Sequence, residues 1–242
     1  MNSEKLSTRL QVVADLIPEE ARLADIGSDH AYLPCNVVKK GKVPFAIAGE
    51  VVEGPFQSAV RQVTEEGLTE KISVRKGNGL EVIAPEEVDC ITIAGMGGTL
   101  ISNILEAGKD KLLGVRRLIL QPNISAISIR EWLIENNWEL IDEKILEEDG
   151  KIYEVLVAER GNPHKPYSVD RNKKLLMGPF LIESQDKVFE KKWLEEKRNW
   201  ENILNQLSTA TKSEEILQKT EELKGKIKMV EEVLNIENSE RI

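Results

Sequence analysis

The sequence predicts an α/β fold, a mostly parallel sheet wrapped by helices, followed by a purely helical C-terminal part. Three observations carry that expectation. Up to about residue 160, short Val/Ile/Leu runs alternate with helical patterns, the way βαβ units are written. The run Leu23-Ala24-Asp25-Ile26-Gly27 ends in an acid, a glycine and a polar turn, as strands do where an α/β sheet opens onto a ligand crevice. After residue 161, apolar residues recur every three or four positions and strand character disappears.

The elements follow in order. Leu6, Leu10, Val13 and Leu16/Ile17 put an amphipathic helix ahead of the first strand. Strands are expected over 22–26, 45–48, 72–75, 89–93 and 117–120, each a short run rich in branched apolar residues. A helix over 128–136 precedes two further runs, 138–146 and 151–159. The acidic, glycine-ended loop Glu147-Glu148-Asp149-Gly150 joins them and reads as a hairpin. Five parallel strands closed by an antiparallel hairpin are the seven-stranded, mostly parallel sheet of a class I (Rossmann-like) methyltransferase. A nicotinamide-binding domain more often continues with another parallel unit. Gly161-Asn162-Pro163-His164-Lys165-Pro166 breaks the pattern and reads as a linker, so the expected domains are 1–161 and 162–242.

In the second part, Phe189, Trp193, Trp200, Ile203 and Leu207 fall at seam spacing on one helix, with Glu196 interrupting. Ile216, Thr220, Leu223, Ile227, Val230 and Leu234 do so on the next, and Thr211-Lys212-Ser213-Glu214 between them fits a capping box. A C-terminal α-helical coiled-coil hairpin is therefore expected, with a kink or break at Gly178-Pro179. A helix of roughly 30 residues reaches ~45 Å, enough to span another macromolecule. A dimerisation element or a brace on the sheet is the plainer alternative.

No stretch of the 242 residues approaches the ~18 uninterrupted apolar residues of a membrane helix. The start, Met1-Asn2-Ser3-Glu4-Lys5, leads into an amphipathic segment without the apolar core of a signal peptide. Cys35 and Cys90 lie far apart with no metal-ligand spacing. A reduced cytoplasmic protein, without metal or membrane and favouring a monomer, is the expectation. Net charge is −9, which argues against nucleic acid as a partner. The distribution softens that objection: residues 1–160 carry 18 Lys+Arg against 27 Asp+Glu, leaving 15 of each for 161–242. Within 165–198 there are nine bases and six acids, a basic stretch that equally reads as a solvated helix surface.

Each strand end of the first part carries a residue type suited to a nucleoside-containing cofactor, and specifically to S-adenosylmethionine. Gly27 lets backbone approach the ligand, and Asp25 or Asp29 is placed to accept hydrogen bonds from its amino group. Glu50, 25 positions after Asp25, is the candidate for the ribose hydroxyls. Gly77-Asn78-Gly79-Leu80 sets an amide between glycines, fit to border an adenine ring. Ala94-Gly95-Met96-Gly97-Gly98 is expected as a loop beside the methionine moiety and its methyl. Gln121-Pro122-Asn123 offers two amides at the crevice edge. Any one of these turns has a bland reading, a tight turn needing glycine; all five in register do not.

The stretch Asp25-Ile-Gly-Ser-Asp-His-Ala-Tyr-Leu-Pro34 departs from the usual Gly-x-Gly, because Asp29 stands where the second glycine would be. Together with Gly49-Glu50-Val51-Val-Glu-Gly-Pro55, Gly77-Asn-Gly-Leu80, Ala94-Gly-Met-Gly-Gly98 and Gln121-Pro-Asn123, in this order, it resembles the TrmK family. These are bacterial tRNA adenine-N1 methyltransferases that modify adenine 22 in the D-arm region. The likeness runs from Leu6-Ser-Thr-Arg-Leu10 to Tyr153-Glu154, and the helical part is similar to the family's coiled-coil domain. The resemblance implies S-adenosyl-L-methionine as methyl donor and tRNA as substrate. It also implies cofactor contacts at Asp25, Gly27, Ser28, Asp29, Glu50, Val51, Asn78, Gly79, Ala94, Gly95 and Met96, to which His30 and Gly77 are added as neighbours.

Adenine N1 has a lone pair and can attack a sulfonium methyl in line, so no indispensable general base is expected. Alignment then supplies much of the catalysis, aided by polar groups that receive the adenine edge. The catalytic candidates are Asp29, His30 and Tyr32, with Asn123 reaching the exocyclic amine and Tyr32 stacking on a withdrawn base. His30 reads equally as a helix-start cap, Tyr32 as packing on the sheet, and Cys90 as a buried small hydrophobe. Arg9 is placed to reach the crevice or a phosphate. Phosphate contacts are expected from the basic stretch 165–198, with Lys173, Lys174, Lys191 and Lys192 as the bases whose neutralisation tests it, and from scattered bases at the crevice rim. The readings left open are a class I methyltransferase acting on another RNA, a protein or a small molecule, and a non-catalytic module binding a nucleoside cofactor. A dehydrogenase lacks its Gly-x-Gly-x-x-Gly turn.

Overall fold

The structure, a computed structural model, describes residues 3–209 and 213–235. One unit runs to Val169 and a second starts at Asp170. In the first, α1 (Thr8–Leu16) precedes β1 (Arg22–Ile26), α2 (Tyr32–Lys39), β2 (Phe45–Glu50), α3 (Glu53–Glu65) and β3 (Ile72–Lys76). There follow β4 (Cys90–Gly97), α4 (Gly98–Ala107), β5 (Arg117–Ile124), α5 (Ala126–Glu135), β6 (Trp138–Glu148) and β7 (Lys151–Arg160). Ser7 caps α1 by accepting the Leu10 N–H, and α1 buries Val13 and Ala14.

All seven strands form one sheet in the order β3-β2-β1-β4-β5-β7-β6. The first five pair in parallel and β7 returns antiparallel between β5 and β6, as expected. The interior runs of β1, β2, β4 and β5 are buried on both faces, which parallel strands covered by helices require. The chain order reverses between β1 and β4, where doubly wound sheets open their ligand crevice. Asp149 and Gly150, both at positive φ, make the two-residue turn that joins β6 to β7.

Two expectations are corrected. The glycine-rich run after the fourth strand is not a free loop. β5 continues to Ile124, so β4 pairs alongside it through Ala94, Met96 and Gly97, with register shifts around Gly95. The segment read as a linker also packs into the first unit. Glu139 accepts the Asn162 N–H (2.9 Å) and pairs with Lys165 (2.9 Å), and Tyr167 is buried.

A charged cluster ties α5 to the β6–β7 hairpin. Arg130 donates to Glu143 (2.8 Å) and Glu154 (2.7 Å), and all three are buried. Burial opposes the guanidinium's charge, but the two carboxylates outweigh it and hold the Arg130 pKa above its ordinary value.

The second unit contains α6 (Arg171–Met177), α7 (Pro179–Ser184), α8 (Lys187–Ser208) and α9 (Glu214–Val233). Gly178-Pro179 gives a full break, with Pro179 starting the new helix. A second break at Gln185-Asp186 shortens the long helix to 22 residues, ~33 Å. Helices α8 and α9 run antiparallel: Gln185 donates to the Val233 carbonyl and Lys197 pairs with Glu231 at 3.2 Å. Phe189, Trp193, Leu223 and Val230 are buried, while Ile203 is exposed. Of the expected capping box, Thr211 and Lys212 lie outside the described residues; Ser213 caps α9 by accepting the Ile216 N–H.

Candidate active site

The carboxyl ends of β1 to β5 lie side by side, so the five segments singled out from sequence meet along one sheet edge. Asp25, at the end of β1, is buried. It accepts hydrogen bonds from Ser28 Oγ (2.6 Å) and Thr92 Oγ1 (2.6 Å). Burial raises its pKa despite both bonds. Thr92 is the residue paired with Asp25 across the β1–β4 register, so a hydroxyl inside an apolar strand meets the acid directly.

After β1 the chain turns sharply. Gly27 has φ +71°, a conformation that favours glycine, and the flexible end of the Met96 side chain occupies the space where a Cβ would stand. The Gly27 and Ser28 N–H groups both donate to the Gly49 carbonyl. The Asp29 N–H donates to Glu50, fixing the turn to the end of β2. Glu50 is buried, and burial together with the nearby Asp29 and Asp25 charges raises its pKa against the backbone N–H bonds that lower it. His30 is not a helix cap; its ring stacks on Tyr32 (centroids 5.1 Å, planes 15° apart) and lies 3.7 Å from the Asp29 carboxylate.

On the other side, Gly95 is held at both backbone groups. Its N–H donates to Gln121 Oε1 (3.0 Å) and its carbonyl accepts from Asn123 Nδ2 (2.8 Å). Arg9, from α1, also donates to Gln121 Oε1 and lies over the Tyr153 ring at 5.2 Å. Gly95 has φ +81°, and a Cβ there would sit 3.4 Å from the Arg9 guanidinium.

Two clefts result. The first, about 250 Å³, is lined by Asp25, Gly27, Ser28, Asp29, Tyr32, Ala94, Gly95 and Met96, with Arg9, Leu10 and Leu33. The second, about 280 Å³, lies at the end of β3 and is lined by Asn78 and Gly79 with Leu80, Leu100, Asn103 and Ile104 among others. β2, which ends in Glu50, stands between β1 and β3 in the sheet. Glu50, Val51, Gly77, His30 and Asn123 flank rather than line these clefts. Val51 is exposed, and Gly77 donates its N–H to the Glu50 carbonyl.

A family described as "TrmK: tRNA (adenine(22)-N(1))-methyltransferase" matches residues 23–232, most of the chain and all five strand-end segments. The chain belongs to this family. The tRNA (adenine(22)-N(1))-methyltransferase of Bacillus subtilis is 55% identical over 97% of this chain and 99% of that one. The crystal structure of that methyltransferase superposes with a TM-score of 0.92, covering 96% of this chain and 99% of the other. A Streptococcus pneumoniae relative solved with S-adenosyl-L-methionine is 44% identical, with a TM-score of 0.84 over 95% of this chain and 100% of that one. M. capricolum TrmK, solved with S-adenosyl-homocysteine, is 27% identical, with a TM-score of 0.82 over 95% and 98% of the two chains.

Sequence reasoning did not single out three groups that the family's fold brings to this edge. Thr92 had a signal, an isolated hydroxyl in Cys90-Ile91-Thr92-Ile93. Tyr153 and the Leu100–Ile104 wall had none, because helix and hairpin packing alone deliver them.

Proposed function

We infer that this chain transfers the methyl group of S-adenosylmethionine to N1 of adenine 22 in tRNA. The observation that carries the reading is the family match over residues 23–232, whose five strand-end segments lie side by side along one edge of the sheet. The donor set fits the cofactor. Asp25 and Asp29 offer carboxylate oxygens to an ammonium, with Gly27, Ser28 and His30 shaping the turn around it. Glu50 and Val51 suit ribose hydroxyls, and Gly77, Asn78 and Gly79 border an adenine. Ala94, Gly95 and Met96 form the wall beside the methionine chain. When bound, S-adenosylmethionine supplies an electrophilic sulfonium methyl.

The remaining chemistry belongs to the chain's own residues. The His30–Tyr32 stack offers an aromatic face to a base withdrawn from the RNA. Asn123 Nδ2 is committed to Gly95, so its Oδ1, which takes only a long 3.4 Å bond from Gln121, is the acceptor for the exocyclic amine. Asp29, whose side chain is 66% exposed, is the proposed counter-charge to the positive charge that adenine gains on methylation. No group need remove a proton before N1 attacks, so alignment dominates.

The basic stretch of the helical unit is the proposed grip on RNA, with the chemistry assigned to residues 1–161. Lys165, Lys173 and Lys197 already pair with acids, Glu139 (2.9 Å), Glu232 (2.9 Å) and Glu201 with Glu231, so a phosphate at those bases competes with a carboxylate. One protomer supplies every strand end, supporting a monomer. No helix of the described residues is long and apolar enough to cross a membrane, and no described cluster of His, Cys, Asp and Glu could hold a metal. A tRNA substrate and two free cysteines support a cytoplasmic setting.

The test is methylation of unmodified tRNA transcripts with labelled S-adenosylmethionine, followed by nucleoside analysis. We expect 1-methyladenosine at position 22, lost when that adenine is replaced. Label in a different nucleoside, or none, overturns the assignment.

A further inference from the structure

Gln121, fully buried in β5, has both its amide oxygen and its amide nitrogen engaged twice. Its Oε1 accepts from the Gly95 N–H (3.0 Å) and from Arg9. Its Nε2 donates to the Pro122 carbonyl (2.8 Å) and, at 3.4 Å, to Asn123 Oδ1. Asn123 Nδ2 returns to the Gly95 carbonyl (2.8 Å), which closes a ring of side chains around both backbone groups of one residue. A backbone N–H donates and a carbonyl accepts, so Gly95 dictates which end of each amide is oxygen. Turning Gln121 over would set its NH2 against the Gly95 N–H and the Arg9 guanidinium. Turning Asn123 over would set its oxygen against the Gly95 carbonyl and its NH2 against that of Gln121. Each turn breaks several bonds of the ring at once.

We propose that Gln121 is a positioning residue for selection of the target base. Through Gly95 it holds the exposed Asn123 amide in one orientation, with Oδ1 as an acceptor, so that the site favours a purine bearing an exocyclic amine at C6. This deepens the function proposed above and rests on its placing of Asn123 at that amine. Gln121 acts through Asn123 and not on the base. Gly95 needs the hold because a glycine at φ +81° has other backbone conformations open to it, and a shift of its carbonyl would release Asn123 Nδ2. An unrestrained surface amide can offer either its oxygen or its NH2 to a base edge. A fixed one discriminates: a 6-oxo purine would bring acceptor against acceptor, and a purine with hydrogen at C6 would leave Oδ1 without that partner.

The test is a cycle of enzyme variants against two full-length tRNAs, one carrying adenosine and the other purine riboside at position 22. Purine riboside keeps N1 and lacks the amine. At saturating S-adenosylmethionine the unaltered chain should show a kcat/KM about tenfold or more higher for the adenosine tRNA. Gln121→Met should narrow that preference roughly fivefold, chiefly by slowing methylation of the adenosine tRNA. The intrinsic reactivities of the two bases cancel when the preferences are compared between enzymes. Gln121→Glu keeps an acceptor for Gly95, with Arg9 as counter-charge, and loses both donors; it should narrow the preference too, and it decides the matter if the methionine variant does not fold. Equal losses on both tRNAs, with the preference unchanged, would overturn the proposal and leave Gln121 a structural support of β4. An unaltered chain that treats the two tRNAs alike overturns it without any variant. Failure of the unaltered chain to methylate the adenosine tRNA at position 22 refutes instead the function on which the proposal rests.

Discussion

Asp25 shows what a ligand-facing acid costs. Two hydroxyls hydrogen-bond it, yet burial still lifts its pKa above the ordinary carboxylate range. The folded state thus holds a proton that the unfolded chain has released. Stability is lost as pH rises from the unfolded pKa, ~3.9, through the raised folded one, and levels off above it. Asp25→Asn removes that penalty while keeping an acceptor for Thr92. We expect its unfolding midpoint to exceed the wild type's at pH 8 and the gap to close near pH 4, in thermal denaturation scans. Cofactor affinity should fall roughly 10- to 100-fold, the worth of one charge-assisted hydrogen bond. At this scale the sequence is legible wherever residue type announces the contact: an acid, a glycine and a second acid 25 positions on mark the crevice. Thr92 is not, since only the strand register joins it to Asp25.

Among elements, strand existence and order can be read because apolar runs and breakers mark them, but strand ends cannot. β4 runs on through the four glycine-rich positions 94–97 because β5 continues beside it, and pairing partners are not written in the local sequence. Helix breaks at Gly178-Pro179 are legible; the one at Gln185-Asp186 carries only an N-cap, with Asp186 accepting the Phe189 N–H. The Arg130 cluster binds three elements at once. Glu143 pairs with Leu156 and Glu154 with Ile145, so the two acids are diagonal neighbours on one face of the hairpin, closed by Arg130 from α5. Arg130→Met leaves two carboxylates buried without a counter-charge. Denaturant titration should register a loss of ~3–5 kcal/mol, against ~1 kcal/mol for a typical substitution.

Over the whole molecule, a chain of net charge −9 must grip an anionic substrate through local patches. Raising salt from ~50 to ~200 mM should weaken the proposed tRNA binding by about tenfold or more. Cofactor affinity, set inside a half-enclosed cleft, should change little over the same range. A salt-independent tRNA affinity would remove the basic stretch from the account. The division into an α/β unit and a helical unit was legible from the change in periodicity. The position of the break at Val169 was not, because residues 162–169 look like a linker until Glu139 and a buried Tyr167 claim them. The Arg130–Glu143–Glu154 cluster also constrains how such a chain can change over generations. Losing Arg130 first strands two buried carboxylates, whereas losing one glutamate first leaves a charge-balanced Arg130–carboxylate pair, and replacing all three with apolar residues need not destabilise the fold. A lineage altering one codon at a time should therefore give up a glutamate before the arginine, so chains that keep both acids should keep Arg130.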